Sequence, residues 1–214
     1  MGAPNQPNRP FATGNLSREE IKLVTSIYQE LGYTYTDVAF DPNYHPPLTS
    51  FESVNAFYTD VRSGPAIRLP STRSATYLYY PQLTYPGLST KYGSYSHQDR
   101  QTWGVTLLSR PYGHLLIRPE TMLDKVRELL HHAELDFTED AAFSRRFYVL
   151  SNEEEKARHF LDSAIRRAIL DLALTDFTIE IIDKLLLIGD YKKATVNTAL
   201  EIAGFLEAVG TDLR

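Results

Sequence analysis

Strand-forming and helix-forming patterns occupy separate stretches of this chain. Between residues 33 and 117, Val, Tyr, Thr and Leu gather in short runs at 33–36, 53–61, 75–80, 102–108 and 114–117. Pro46-Pro47, Gly64-Pro65, Pro86-Gly87 and Pro111-Tyr112-Gly113 cut these runs apart, as turn chemistry requires. Apolar residues at helical spacing lie before and after this block. The pattern predicts an α+β fold, an antiparallel sheet packed against amphipathic helices. The turn at 109–113 predicts that 102–108 and 114–117 pair as a hairpin.

The helices have readable boundaries. Ser17 and Glu20 form an S-x-x-E capping box, with Leu16 and Ile21 placed for a hydrophobic staple. Ile21, Val24, Ile27, Tyr28 and Leu31 then repeat at helical spacing, and Gly32 is a natural stop. Pro119 suits the first turn of a second helix carrying Met122, Leu123, Val126, Leu129 and Leu130. A C-terminal strand-helix-hairpin-helix unit follows. Its strand is 146–150. Ser151 and Glu154 read as a second capping box, opening one helix whose apolar face is Ala157, Phe160, Leu161, Ala164, Ile165, Ala168, Ile169 and Leu172. Asp162 and Arg166 are spaced as an i,i+4 ion pair. Phe177–Ile182 and Leu185–Ile188 flank a tight turn at Asp183-Lys184, and Val196, Ala199, Leu200, Ala203 and Leu206 mark a last helix. Residues 1–15, with three prolines, three asparagines and two glycines, read as a flexible tail; 16–214 reads as one domain, β-rich over 33–117 and mixed over 118–214.

Composition narrows the chemistry. The 214 residues include no cysteine, which excludes disulfides, thiolate metal sites and a cysteine nucleophile. A net charge of -5 argues against broad nucleic-acid binding. No apolar run reaches the length of a membrane span, and no secretory h-region is expected at the N-terminus, so the protein reads as soluble and cytoplasmic. There is no G-x-S-x-G elbow, P-loop, G-x-G-x-x-G or zincin spacing. No cofactor and no metal are expected.

The candidate sites are discontinuous. Fourteen tyrosines are present, six of them between 77 and 95: Tyr77, Tyr79, Tyr80, Tyr85, Tyr92 and Tyr95, with the single tryptophan, Trp103, nearby. Tyrosine couples a large contact area to a polar tip, so these seven residues form a candidate binding face; the plainer explanation is that strands favour tyrosine. His97 and Asp99, two apart, share one side of a strand if 93–100 is extended, although the segment's polarity reads as a hairpin loop. Arg145, beside Phe143 and Phe147, is a candidate anion ligand provided the strand starts after it or bulges there. His131 and His132 read as a cationic helix C-terminus.

Phe143-Ser144-Arg145-Arg146-Phe147-Tyr148-Val149, then Glu155-x-Ala157-Arg158-x-x-Leu161, resembles the C-terminal module of a large bacterial family known only as a domain of unknown function. Gly32-Tyr33-Thr34-Tyr35 with Asp41-Pro42, and Val105-x-Leu107 through Leu115-x-Ile117-Arg118-Pro119-Glu120, resemble its upstream pieces, so the likeness spans 20–208. This chain departs from it in lacking transmembrane segments and in following Leu161 with Asp162-Ser163-Ala164. The resemblance implies a cytoplasmic module working beside a membrane protein, and no activity. Two functions are therefore expected to compete: an interaction or accessory module that binds a protein partner through the tyrosine-rich face, or a small-molecule-binding protein or enzyme with a His97, Asp99 and Arg145 site.

Overall fold

The computed structural model describes residues 17–31, 40–41, 48–62, 64, 66–69, 74–90, 93–120 and 133–212. Helix α1 (Arg18–Glu30) starts at the expected capping box. Ser17 Oγ accepts the Glu20 N–H at 3.2 Å, and the Glu20 carboxylate accepts the Ser17 N–H at 2.7 Å. In chain order there follow β1 (Phe40–Asp41), a 3-10 turn (Leu48–Ser50), α2 (Glu52–Asn55), β2 (Asp60–Arg62), β3 (Ala66–Arg68), β4 (Thr76–Tyr79), β5 (Gln82–Thr90), β6 (Gly93–Leu107), β7 (His114–Pro119) and β8 (Ala133–Glu134). The C-terminal part holds α3 (Ala141–Ser144), β9 (Phe147–Ser151), α4 (Glu154–Phe160), α5 (Ser163–Leu170), β10 (Phe177–Ile182), β11 (Leu185–Lys193) and α6 (Val196–Asp212).

The fold is α+β, with every strand pairing antiparallel. The order is β1-β3-β4-β6-β11-β10-β7-β9-β8, and β5 pairs with both β6 and β2. Strands β4 and β5 together make one partner for the long β6: Tyr79 faces Trp103, Gln82 faces Arg100, and Tyr85 faces His97 in an unbroken register. The hairpin of β10 and β11 turns at Asp183-Lys184, as its spacing predicts, with Asp183 at φ 54°.

Several sequence expectations are corrected. Strands β6 and β7 do not form a hairpin, because β10 and β11 insert between them. The 108–113 loop instead wraps the turn of that inserted pair: Leu108 N–H donates to Lys184 C=O, Tyr112 N–H to Asp183 C=O, and Asp183 N–H to Gly113 C=O. Residues 53–61 are mostly not strand; they supply α2, a turn and only the first part of β2. The polar stretch 93–100 is the first half of β6, not a loop. The single long helix is two, broken at Leu161-Asp162, where the Asp162 carboxylate accepts the Ile165 N–H at 2.9 Å and caps α5. An apolar stripe carries through the break, so periodicity hides it. Arg166 pairs with Asp140 and Glu139, not with Asp162. Ser151 ends β9, and Glu153 stands at the N-cap of α4. Pro119 ends β7 opposite Phe147. The tail 1–15, the run 33–36, Gly32, Tyr92, the helix residues 121–130 and His131-His132 lie outside the described residues.

The sheet separates two cores. One face, carrying Phe177, Ile179, Ile181, Leu186, Ile188 and Ile117, is covered by α1, α4, α5 and α6. Gly104 lets α6 approach: a Cβ there would fall 2.6 Å from Ile202 and Leu206. The opposite face carries Tyr79, Trp103, Val105 and Leu187, and it is covered by Leu48, Phe51 and Val54 from the short 48–55 segment. That cover ends at Asn55, and the site opens beside it.

Candidate functional site: an aromatic pocket

Strand alternation assembles this pocket. Along β6 the odd-numbered residues share the face away from the long helices, so Gln101 lies between buried Trp103 and half-buried Asp99. On β11, Gly189 faces Trp103. A Cβ at Gly189 would collide with the indole ring, so only glycine lets the ring lie against the strand. Tyr191, two residues on, returns to the same face. The end of α2 then delivers Phe57 and Tyr58 above it, held by N–H donations from both residues to Val54 C=O.

These rings frame a cavity of about 550 Å³, lined also by Tyr85, Pro86, Gln101, Asp176 and Lys192. Tyr58 and Tyr191 are stacked with centroids 6.2 Å apart, and Phe57 leans on Tyr191 at 4.7 Å. Tyr85 and Trp103 both stand edge-on to Tyr58, at 6.4 and 6.3 Å. Gln101 is the polar pivot. Its Oε1 accepts from the Tyr58 hydroxyl at 2.5 Å and from Trp103 Nε1 at 3.3 Å, and its Nε2 donates to Tyr191 C=O at 3.0 Å. At the rim, Lys192 Nζ bonds Asp176 at 2.8 Å and Thr175 at 2.7 Å.

The ionisation states follow from these contacts. Burial pushes the Tyr58 and Tyr191 hydroxyls far above the ordinary tyrosine range. The Tyr85 hydroxyl is raised by the hydrogen bond it donates to Asp99 at 2.6 Å. The rings are therefore neutral at any physiological pH. The Lys192 ammonium holds the Asp176 carboxyl below the usual range, and the carboxylate raises Lys192 in return.

A second polar cluster supports the pocket wall from below. Glu180 on β10 is completely buried and accepts the N–H groups of Glu52 and Ser53, at 2.9 and 2.8 Å, where α2 begins. His114 Nε2 bonds the same carboxylate at 2.8 Å, and its Nδ1 lies 3.9 Å from Glu52. The hydrogen bond to Glu180 holds the His114 pKa above the ordinary histidine value, against the opposing effect of burial. Among the described residues, no group of three or more His, Asp or Glu side chains is arranged to hold a metal ion, and no helix is long and apolar enough to cross a membrane.

The expected binding face is only partly assembled. Tyr77, Tyr79, Tyr85, Tyr95 and Trp103 share one face by alternation, but Tyr79 and Trp103 are buried core and Tyr77 is half-buried. Tyr80 points the other way, into the core beneath the helices. Tyr79, Tyr80 and Trp103 therefore present no outer contact surface, because strand pairing and the 48–55 cover use them as core. Tyr85 enters the pocket and Tyr95 is 59% exposed. The other expected trio does not converge. His97 stacks on Tyr85 at 5.5 Å and Asp99 accepts from the Tyr85 hydroxyl, so those two share one site. Arg145 is elsewhere, exposed at the end of α3, its Nε donating to Ala141 C=O. The strand does begin after it, at Phe147. Arg146 has the structural role there, donating to the carbonyls of Leu170, the last residue of α5, and Leu172 just beyond it.

Sequence reasoning missed Phe57, Tyr58, Gln101, Asp176, Tyr191 and Lys192. The one local signal for them is the switch from the apolar run of β11 to Gly189-Asp190-Tyr191-Lys192, which marks a strand end leaving the core. No protein-family model, curated protein or solved structure matches the chain, and the resemblance noted above rests on its quoted residues alone.

Proposed function

We propose that this chain is a binding protein whose site is the aromatic pocket, and that it takes a flat, mostly apolar ligand with one polar edge. The observation that carries this reading is the set of rings of Phe57, Tyr58, Tyr85 and Tyr191 framing about 550 Å³. That volume falls within the range of roughly 300–1,000 Å³ typical of small-molecule sites. Tyrosine and phenylalanine rings accept a flat partner by offset stacking or edge contact. Lys192 and Asp176 at the rim supply the polar edge.

Recognition is favoured over catalysis by the state of the polar groups. Tyr58 is committed to Gln101, Tyr85 to Asp99, and Lys192 to Asp176 and Thr175. The buried hydroxyls titrate far from neutrality, which makes them poor acids or bases for proton transfer near pH 7. The expected protein-partner role and the resemblance to a domain of unknown function are compatible with this site, since a partner's aromatic side chain is itself a flat ligand.

Ligand-observed NMR with a library of aromatic fragments tests the proposal, read alongside the emission of Trp103. Binders are expected to shift that emission, because Trp103 stands edge-on to both Tyr58 and Tyr191. Tyr85→Ala is expected to weaken them at least tenfold while leaving the fold intact. Fragments that bind equally well to Tyr85→Ala and leave Trp103 unchanged would sink the proposal, as would a library without a single binder.

A further inference from the structure

The long strand β6 outruns the sheet that holds it. Its second half, from Gln101 onward, is paired on both sides, by β4 and β11. Its first half pairs with β5 on one side. Strand β11 leaves β6 at Lys193, and the last bond along that side runs from Ala194 N–H to Arg100 C=O at 2.8 Å. From Asp99 back to Gly93 no strand lies on that side among the described residues. The segment is a two-stranded ribbon, which on its own is marginally stable in water. The side chains of Tyr95, Ser96, His97 and Gln98 are all exposed, on both of its faces.

Alternation identifies the open backbone groups. Gln101 N–H donates toward the β5 side, to Pro81 C=O, whereas Arg100 C=O points toward the β11 side. Even-numbered residues therefore turn their N–H and C=O groups outward, and those of Ser94, Ser96 and Gln98 form the open edge. Sheet edges are normally guarded by proline, lysine, a bulge or a cover. The β5 side of the ribbon is guarded in this way, by Pro86 and by the register shift between Pro86 and Ser89. Residues 93–98 read Gly-Ser-Tyr-Ser-His-Gln, with no proline, no lysine and no fixed charge. Where the edge meets the body, Gln98, Arg100 and Lys193 face Glu19, Glu20 and Leu23 of α1 across an open cavity of about 340 Å³.

We infer that this edge is a homodimer interface, with β6 pairing antiparallel to β6 of a second copy about a twofold axis at Ser96. The edge is self-complementary in that register. Ser94 faces the partner's Gln98, Ser96 faces its own equivalent, and Gln98 faces the partner's Ser94. These are three reciprocal pairs, each exchanging two N–H···O=C bonds. The absence of fixed charge from Gly93 to Gln98 leaves no like-charge clash across the axis, and this together with the reciprocal register favours a second copy as the occupant. Tyr95 comes opposite the partner's His97, repeating across the axis the ring pairing that Tyr85 and His97 already make. The two-stranded ribbon becomes four-stranded, and both aromatic pockets fall on one face of a continuous sheet.

Sedimentation velocity of the full chain from low to high micromolar concentration tests this inference. The wild type is expected to reach dimer mass. Ser96→Pro removes an outward N–H without touching the bonds to β5, and it is expected to weaken the dimer about tenfold or more. Ser96→Lys opposes two like charges at the axis and is expected to give monomer whose melting temperature matches that of the wild type at concentrations too low for it to dimerise. A wild type that stays monomeric overturns the inference. So does a dimer that survives Ser96→Lys, and this second variant decides the matter if Ser96→Pro fails to fold. Pocket binding by monomeric Ser96→Lys is expected to match the wild type, so this inference and the binding proposal fail separately.

Discussion

The two faces of the sheet are built from the same strands and do different work. Beneath α1, α4, α5 and α6 the strands present mostly apolar side chains, with the small hydroxyls of Thr76, Thr102 and Thr106 and the Asp190 carboxylate among them, and Gly104 admits α6 at close range. The opposite face has a short cover. There Glu180, Gln101, Thr178 and Arg118 are buried among aromatic rings, and the cover stops at the pocket. Apolar burial stabilises roughly in proportion to area, without regard to direction. Buried polar groups must each find a partner in the right place. The helix-covered face supplies bulk stability, and the other face holds a defined arrangement of groups at some cost in stability.

The difference can be broken or sharpened by substitution. The largest effect is expected from Phe177→Ala on the helix-covered face, about 3–5 kcal/mol of unfolding free energy by urea titration. A loss no greater than that of a pocket substitution would erase the contrast. Next is Glu180→Ala, which strands the N–H groups of Glu52 and Ser53 together with His114. It is expected to cost roughly 2–4 kcal/mol. It should also shift Trp103 emission, because the turn that follows α2 holds Tyr58 against Trp103. An unaltered emission would show that α2 is held without Glu180. Tyr58→Phe removes one hydrogen bond to Gln101 and keeps the ring, so about 1 kcal/mol is expected, with the fragment-binding profile retained.

The smallest effect is one of pH. The folded His114 pKa is raised by Glu180, so its contribution is complete below the ordinary histidine value and disappears as pH rises through the raised one. The groups facing it are Glu180 from β10, Glu52 from α2, and Asn152, Glu153 and Asp183 around the adjoining cavity. The stability advantage of the wild type over His114→Gln is expected to be greatest near pH 6 and to shrink toward alkaline pH, measured by denaturation across that range. A gap that widens with pH would reverse the assignment.

The sequence is most legible where a signal is local. The capping box of Ser17 and Glu20 uses atoms three residues apart, and the β10–β11 turn follows from two apolar runs separated by Asp183-Lys184. It is least legible where partners are distant. The β10–β11 hairpin pairs with β6 and β7, far away in the chain, and nothing in the 102–117 segment announces that another hairpin enters between its strands. Polarity misleads at 93–100, because that part of β6 extends past the core and needs no apolar face. The helix break at Asp162 is masked by apolar residues that suit one helix or two.

The tyrosine-rich stretch draws the same line. Alternation by itself puts Tyr77 with Tyr79 on one side of β4, because two-residue periodicity is a local property, whereas the register of β4 and β5 on β6 brings Tyr85, Tyr95 and Trp103 to that same side. Which of them reach a ligand depends on what covers that side. Only the tertiary structure buries Tyr79 and Trp103 under Leu48, Phe51 and Val54, leaves Tyr85 at the pocket, and brings Phe57, Tyr58 and Tyr191 to meet it. A strand's period fixes which way a side chain points; long-range packing decides whether it meets a core, a cavity or water.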